Sequence, residues 1–239
     1  MKLIIPFFVF IFTELNIFSQ PVFKNPGLPD SESYEIYEHF DNKVGFITTK
    51  IDIDLIEKNH LKFYEIHVNE GNLFRNEIVV KYSDLTTISE IRTNLLTNKV
   101  EQYFIKNDDS IHFYSSEKNV TRKLKTSETN IYSPLAFFIS CRGFPFEIGK
   151  SVTFKSYMYE YGDILTMKLA NTAKETIKIK AGTFDCYVLE LSVGGWQSFF
   201  APDKYYLYFA VDSPHIFIQY REQLDGTWYT DDLTKYSKK

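Results

Sequence analysis

The chain has 239 residues, of which 44% are hydrophobic and 17% aromatic, and its formal net charge is −4. A length of roughly 200–250 residues suits one β domain around a single core, and wide aromatic rings pack well across pleated strands. With this small acidic excess the chain has no surplus of basic residues to neutralise the phosphates of a nucleic acid. Composition therefore predicts one all-β domain and argues against a nucleic-acid partner.

The N-terminus has the layout of a secretory signal peptide. Lys2 precedes an uncharged apolar stretch, residues 3–12, and more polar residues follow at positions 13–16. This stretch is about half of the ~20 residues that a membrane-spanning helix requires. We therefore predict a signal peptide over residues 1–19, cleaved after Ser19, and an exported protein of the periplasm or extracellular space. No transmembrane segment is expected after cleavage; an uncleaved anchor is the alternative interpretation.

Residues 20–32 are proline-rich and indicate an extended lead-in, so we expect one domain over residues 33–239. Turn residues separate short alternating segments, which is typical of antiparallel hairpins. Residues 84–94 differ, because their apolar positions have a helical spacing, and we expect a short helix or an irregular crossing there. The strands predicted in the first half are residues 34–40, 44–55, 61–68, 73–82, 100–105, 111–114 and 120–124.

Residues 131–142 form the best helix candidate, with Ser133 as the N-cap, Pro134 at the first helical position, and Gly143 and Pro145 at the end. Several later strands carry apolar residues on both faces, so each needs a layer on both sides: the helix, a loop or the opposite wall of a curved sheet. The strands predicted in the second half are residues 151–161, 163–170, 175–180, 184–192, 205–211, 216–222 and 228–236.

A set of short motifs over residues 131–222 resembles a bacterial family. The motifs are Ser133-Pro134-Leu135, Arg142, Phe146-Glu147-Ile148-Gly149, Ile177-Lys178-Ile179-Lys180-Ala181-Gly182-Thr183-Phe184-Asp185-Cys186 and Ser213-Pro214-His215. They resemble the domain of unknown function 3108 family. The resemblance implies an all-β fold: a strongly curved antiparallel sheet, barrel-like or half-barrel, with one or two short helices, in an exported envelope protein. It implies no catalytic residues.

The residues that bear chemistry favour a protein that is not an enzyme. The five histidines lack metal-ligand spacing, so we predict no metal and no cofactor. Asp52 and Asp54 share a strand face at about 6–7 Å, a separation compatible with glycoside hydrolysis, but alternating charges on a wet face are much commoner. Cys186 lies on an apolar face and indicates core packing; Cys141 and Cys186 are expected as buried thiols, with a disulfide as the alternative.

An aromatic set near a Gly-Gly bend is the strongest indication of a ligand site. It predicts a barrel mouth that holds an acyl chain, a glycan or a partner peptide, or else rings that simply fill the core. Arg142 follows the predicted helix and either pairs structurally or contacts an anionic group. The predicted ligand-binding residues are Arg142, Trp196, Phe199, Phe200, Tyr205, Tyr206 and Tyr208.

Three functions follow from these features. The leading hypothesis is an exported, non-catalytic β-barrel module of the bacterial cell envelope. It would bind an apolar or amphipathic ligand, or an envelope partner such as a lipid, a glycan or a protein. The second is a structural or interaction protein with a filled core. The third and weakest is a hydrolase of envelope polymers that uses Asp52 and Asp54.

Overall fold

The fold predicted from the sequence is confirmed: the chain forms one curved, antiparallel-dominated sheet that is not closed, with one short α-helix among the described residues. The computed structural model describes residues 21–40, 43–117, 119–126, 128, 130–159, 162–194, 205–224 and 226–238. The signal segment and three predicted site residues, Trp196, Phe199 and Phe200, lie outside these ranges.

The described part of the sheet has fifteen strands, and almost every strand pairs with its neighbour in sequence. The strand order is β8-β7-β6-β5-β4-β3-β2-β1-β15-β14-β13-β12-β11-β10-β9, and all pairs are antiparallel except β9 with β10. The strands are β1 (Ser31–Phe40), β2 (Lys43–Lys58), β3 (Leu61–Glu70), β4 (Phe74–Lys81), β5 (Thr87–Asn94), β6 (Lys99–Lys106), β7 (Ser110–Ser115), β8 (Val120–Lys125), β9 (Ile131–Tyr132), β10 (Ser151–Met158), β11 (Asp163–Ile179), β12 (Gly182–Val193), β13 (Tyr205–Ala210), β14 (Phe217–Leu224) and β15 (Thr227–Lys238).

One face of the sheet holds the core, and we call it the inner face. Side chains alternate between faces along a strand, so Tyr34 and Ile36 of β1 point the same way. Their register partners on β2 are Ile51 and Thr49, and Ile51 in turn pairs with Val68 of β3. All five side chains are buried, which makes this alternation the source of the core.

The two edges of the sheet meet through side chains; within the part of the chain that the structure describes, no ladder of backbone hydrogen bonds joins them. The ring of Tyr157 on β10 lies 4.9 Å from that of Phe113 on β7 and 5.4 Å from that of Phe104 on β6. Arg122 of β8 donates through Nη1 to the carbonyl of Gly162 at 3.4 Å. This aromatic seam gives the open sheet its barrel-like shape.

We distinguish two ends of the curved sheet by what occupies them. The β3–β4 and β5–β6 turns lie at one end, together with the last residues of β1 and the first residues of β15, and we call it the turn end. The opposite end, here called the helix end, holds the short helical segment, because Ser140 donates from Oγ to the carbonyl of Leu85 at 3.0 Å, just before β5. Buried residues of the helical segment fill the inner face at this end.

The helical segment is shorter than predicted for residues 131–142. It consists of a 3-10 turn (Pro134–Ala136), α1 (Phe137–Ser140) and a second 3-10 turn (Cys141–Gly143). The first two residues of the prediction form β9 instead, because they pair with β10. Ser133 does cap the segment, accepting from the backbone N–H of Leu135 at 3.2 Å. Gly143 ends it where a Cβ would lie 2.4 Å from the carbonyl oxygen of Lys24.

The extended lead-in is part of the core. Phe23 and Leu28 are buried against it. The backbone N–H of Asn25 donates to the carbonyl of Ser83 at 3.1 Å, and the hydroxyl of Tyr64 donates to the carbonyl of Leu28 at 3.1 Å. The segment therefore covers the helix end of the inner face before β1 begins.

The expectation of a helix or irregular crossing over residues 84–94 was wrong, since Thr87–Asn94 is β5. Its apolar residues do not form a buried stripe: the buried side chains of β5 are Thr87, Glu90 and Thr93, whereas Ile88 and Ile91 are half-buried. Val79 and Val80 of β4 pair with Ser89 and Thr87, which leaves Ile88 as an extra residue opposite no partner. This extra residue places Thr87 and Glu90, three positions apart, on the same buried face.

Candidate functional site

Arg142 lies at the helix end, fully enclosed in a polar network. Its guanidinium forms an ion pair with Glu32, donates to the hydroxyl of Tyr34 at 2.9 Å, and donates through Nε to the carbonyl of Pro214 at 3.0 Å. The hydroxyl of Tyr236 donates to the other oxygen of Glu32 at 3.0 Å. Burial raises the pKa of Tyr34 well above its usual value, although the neighbouring guanidinium opposes the shift. The contacts of the guanidinium with Glu32 and Tyr34 thus hold the helical segment against β1.

The other described residues of the predicted ligand set divide between the two faces of β13. Tyr205 lies on the inner face with Leu207, because alternate residues share a face. Tyr206 and Tyr208 lie on the opposite face. Strand 205–211 was predicted to be covered on both sides, and both Leu207 and Tyr208 are buried. Only Tyr205 of these tyrosines can contribute to an inner-face site.

The outer tyrosines join a cation–aromatic arrangement. The ring of Tyr206 lies 6.1 Å from that of Trp228 on β15, and the guanidinium of Arg221 lies 4.4 Å from the centre of the Trp228 ring. Burial raises the pKa of Tyr208, and a hydrogen bond with Arg221 opposes this shift. These contacts stabilise the pairing of β13, β14 and β15.

A second arrangement, which the sequence did not reveal, lies on the inner face towards the turn end. We call it the carboxyl–tyrosine cluster, and it consists of Glu38, Tyr220, Glu222, Tyr229 and Asp231. The hydroxyl of Tyr220 donates to Glu222 at 2.9 Å, and that of Tyr229 donates to Glu38 at 2.9 Å. Asp231 is the register partner of both Glu38 and Tyr220, and so stands between them.

Burial makes the carboxyl group of Asp231 a much weaker acid than an exposed aspartic acid. Desolvation, followed by the negative charge of Glu38, raises its pKa to about 8, while a hydrogen bond from Tyr229 works in the opposite direction. Burial also raises the pKa values of Tyr220 and Tyr229. At neutral pH the cluster therefore presents a protonated carboxyl group and neutral phenols, which can both donate and accept hydrogen bonds.

Polar side chains continue from the cluster along the inner face of the turn end. Thr49 donates to Glu38 at 2.5 Å and is the register partner of Glu70. Glu70 receives a bidentate ion pair from Arg92, with nitrogen–oxygen distances of 2.6 and 2.7 Å. Arg92 also lies 4.0 Å from the centre of the Phe74 ring. The turn end of the inner face is therefore polar over β14, β15 and β1 to β5.

Glu90 is the most deeply buried carboxyl group near the seam. It accepts a hydrogen bond from the hydroxyl of Ser133, and it lies beside Tyr159 and Arg92. Burial raises the pKa of Glu90 to about 7, while its hydrogen bonds with Ser133 and Tyr159 oppose the shift. Glu90 links β5 to Ser133, the residue that follows β9, so it helps to hold the two edges of the open sheet together.

The remaining candidates for chemistry lie apart from the cluster. Asp52 and Asp54 are on the outer face, and Asp54 accepts a hydrogen bond from the hydroxyl of Ser31 at 2.7 Å. Cys141 and Cys186 are buried free thiols. Burial raises the pKa of Cys186 to about 12, which disfavours the reactive thiolate.

One sequence signal could have located the cluster. On β15, Tyr229, Asp231 and Leu233 have the same parity, and Leu233 is buried in the core. On β1, Glu38 has the same parity as the buried Ile36. A carboxylate at an inward position of a strand is the informative pattern, because exposed charges need no explanation and buried ones do.

Solved structures that resemble this chain share little sequence with it. One is a β-barrel-like protein of domain of unknown function DUF1849 from Brucella abortus, with a TM-score of 0.46, 7% identity, and coverage of 87% of this chain and 97% of that one. The hypothetical lipoprotein YmcC from Escherichia coli has a TM-score of 0.35, 10% identity, and coverage of 88% of each chain. The lipoprotein LppX from Mycobacterium tuberculosis has a TM-score of 0.28, 11% identity, and coverage of 85% of each chain.

No curated protein matches the chain. Among the described residues, no helix has both the length and the apolar character needed to cross a bilayer. The family model for DUF3108, a protein of unknown function, matches residues 33–233. This match extends from β1 to β15 and so includes the described sheet apart from the first two residues of β1 and the last five of β15. The resemblance seen in residues 131–222 is thereby confirmed, and the chain belongs to the DUF3108 family.

Proposed function

We propose that this protein is an exported, non-catalytic module of the bacterial envelope that binds an amphipathic ligand on its inner face at the turn end. The observation that carries the proposal is the carboxyl–tyrosine cluster, a set of hydrogen-bonding groups at the turn end of the face that also holds the apolar core. A site with a few convergent polar groups and an apolar lining is typical of small-molecule recognition. A perturbed pKa such as that of Asp231 also occurs often at functional sites.

The chemistry of the cluster selects the head group of the ligand. Glu38 is the register partner of Asp231, and the charges of Glu38 and Glu222 both raise the pKa of Asp231, so an anionic head group would meet repulsion. A hydroxyl, amide or ammonium head group can donate to these oxygens instead. Tyr205 lies beside Glu222 as its register partner and adds a further aromatic surface. The alkyl part of the ligand would contact the apolar inner face, which continues to Leu207.

Native mass spectrometry on protein purified from its host envelope tests ligand binding. We expect an additional mass that organic extraction releases as an amphipathic molecule without an anionic head. Asp231→Ala should lower the occupancy, because it removes the central hydrogen-bonding group, while Asp54→Ala on the outer face is the matched control. A clean mass of the free protein, together with an experimental structure that shows no cavity at the cluster, would contradict the proposal.

Export is supported by the signal layout of residues 1–19. N-terminal sequencing of the protein recovered from its host tests this step. A mature chain that begins at Gln20 is the expected result, and a chain that still begins at Met1 in the cytoplasm would contradict export.

The second candidate is a structural or interaction protein with a filled core, and the helix end favours it. Phe23 packs edge-on against Tyr132 at 4.8 Å and against Phe154 at 5.3 Å, and Phe137 contacts Phe154 at 5.5 Å. Interlocked rings of this kind leave the helix end occupied by the chain itself. This candidate predicts a free mass in every preparation and a specific envelope protein bound at Trp228, whose capture Trp228→Ala abolishes.

A further inference from the structure

Exposed apolar side chains gather at one place on the surface. Seven large hydrophobic residues are exposed among the described residues. Four of them lie on the adjacent turns β3–β4 and β5–β6 or directly beside them, and the backbone N–H of Leu95 donates to the carbonyl of Leu73 at 2.8 Å. We call this set the apolar rim: Leu73, Leu95, Leu96 and Val100.

The turn conformation holds the rim outward. The side-chain oxygen of Asn94 accepts from the backbone N–H groups of Leu96 at 3.0 Å and Thr97 at 3.1 Å, while its amide donates to Glu101 at 2.8 Å. These bonds fix the β5–β6 turn with 74% of Leu96 exposed. A rigid turn that displays leucine to water needs an explanation, because clustered apolar exposure marks contact surfaces.

The two turns of the rim carry basic residues, while the acidic residues that flank them, Glu70 and Glu101, form hydrogen bonds with Arg92 and Asn94. Residues 71–75 and 94–100 contain Arg75 and Lys99 and no acidic residue. Arg75 lies 3.9 Å from Glu77, further along β4, and both side chains are exposed. The neighbouring β7–β8 turn carries Glu117, which Lys118 follows in sequence. The rim itself therefore combines leucines with cations and with the uncharged polar residues of the two turns.

We propose that the apolar rim is the surface with which this protein binds an anionic lipid bilayer. Leucines at the tips of convex turns fit a deformable acyl layer, into which they insert without a preformed pocket. Arg75 and Lys99 then lie at the depth of the phosphate groups, where basic residues strengthen binding. Glu70 of the polar inner face directly precedes the β3–β4 turn, so bilayer contact places the turn end against the membrane.

Vesicle sedimentation with the mature protein tests the rim. The probe is a vesicle of phosphatidylethanolamine and phosphatidylglycerol, compared with a vesicle of phosphatidylcholine alone. We expect binding to the anionic vesicle that weakens as salt rises, and a loss of about tenfold in the partition coefficient for the double variant Leu95→Ser/Leu96→Ser. The matched control is Leu61→Ser, since Leu61 is 61% exposed but lies at the opposite end of β3.

Other outcomes would overturn the proposal. Failure of the wild-type protein to bind either vesicle would do so, as would an equal loss for Leu61→Ser. If the double variant instead converts a dimer into a monomer in light scattering, the rim joins two copies of the chain. Far-ultraviolet circular dichroism of both variants shows that they are folded. Ligand occupancy measured in solution should not change in the double variant, so failure here is distinct from failure of the proposed ligand site.

Discussion

At the scale of single residues, we expect the largest loss in the free energy of unfolding when the buried ion pair of Arg142 and Glu32 is broken. Both side chains are fully buried, so removing one leaves a charge without its partner in a medium of low polarity. We expect Arg142→Met to lower the free energy of unfolding by about 3–5 kcal/mol in urea titrations. The double variant Glu32→Met/Arg142→Met should regain part of this loss, because neither charge is then left buried.

The exposed pair of Lys235 and Glu35 provides the control. Its charged atoms lie 3.6 Å apart with 67% of the Lys235 side chain exposed. Lys235→Met should cost about 0–1 kcal/mol, since water screens exposed pairs. Equal losses at Arg142 and Lys235 would show that burial does not determine the cost.

Asp231 predicts a pH dependence of stability. Its pKa is about 8 in the folded chain against an ordinary value of 3.8, so the folded state holds the proton more tightly than the unfolded state. This contribution to stability is complete below the ordinary value and is lost as pH rises to about 8. Glu90 acts in the same direction, with a folded pKa of about 7.

Thermal melts of Asp231→Asn from pH 5 to pH 8.5 test this dependence. The neutral amide mimics the protonated carboxyl group, so the variant should lose less stability than the wild type as pH rises. Glu90 should leave a residual slope, and Asp54→Asn should follow the wild type because Asp54 is exposed on the outer face. A variant with an unchanged pH slope would show that Asp231 ionises normally in the folded protein.

At the scale of elements, the aromatic seam determines whether the sheet stays curved. Phe113 is almost fully buried against Tyr157, which lies at the other end of the strand order. Phe113→Ala should lower the free energy of unfolding by about 3–5 kcal/mol. It should also speed hydrogen exchange in β7, β8 and β10, because the two edges of the sheet lose their contact. Tyr103→Ala is the control, since Tyr103 stacks on Tyr114 at 5.6 Å and lies away from the seam. Unchanged exchange in β10 would contradict the seam.

Strands were predicted correctly where the alternation of apolar and polar residues agrees with the position of turn residues. The prediction failed where pairing with a neighbouring strand decides the local structure. Ser133 was correctly identified as a cap, but Ile131 and Tyr132 form β9 because β10 offers a partner. In β5 the sequence pattern did not reveal the bulge at Ile88, because a bulge depends on pairing with the neighbouring strand and leaves no local signature. Such features depend on pairing between strands that a sequence pattern does not specify.

At the scale of the whole molecule, the candidate site depends on contacts that are distant in sequence. Glu38 and Asp231 become partners only because β1 pairs with β15. The aromatic set near the Gly-Gly bend was a local signal, and it placed Tyr205 on the inner face but Tyr206 and Tyr208 on the outer face. The curved sheet was therefore predictable from the pattern and the family resemblance, while the polar cluster required the register between β1 and β15.

Calorimetric titration with two amphiphiles of equal chain length tests the central claim most directly. One has an uncharged sugar or an ammonium head, and the other has a carboxylate head. We predict that the wild-type protein binds the first at least about tenfold more tightly at pH 7, and that Tyr220→Phe/Asp231→Ala removes this preference. Equal affinity for both amphiphiles, or a preference that survives in the double variant, would contradict recognition by the carboxyl–tyrosine cluster.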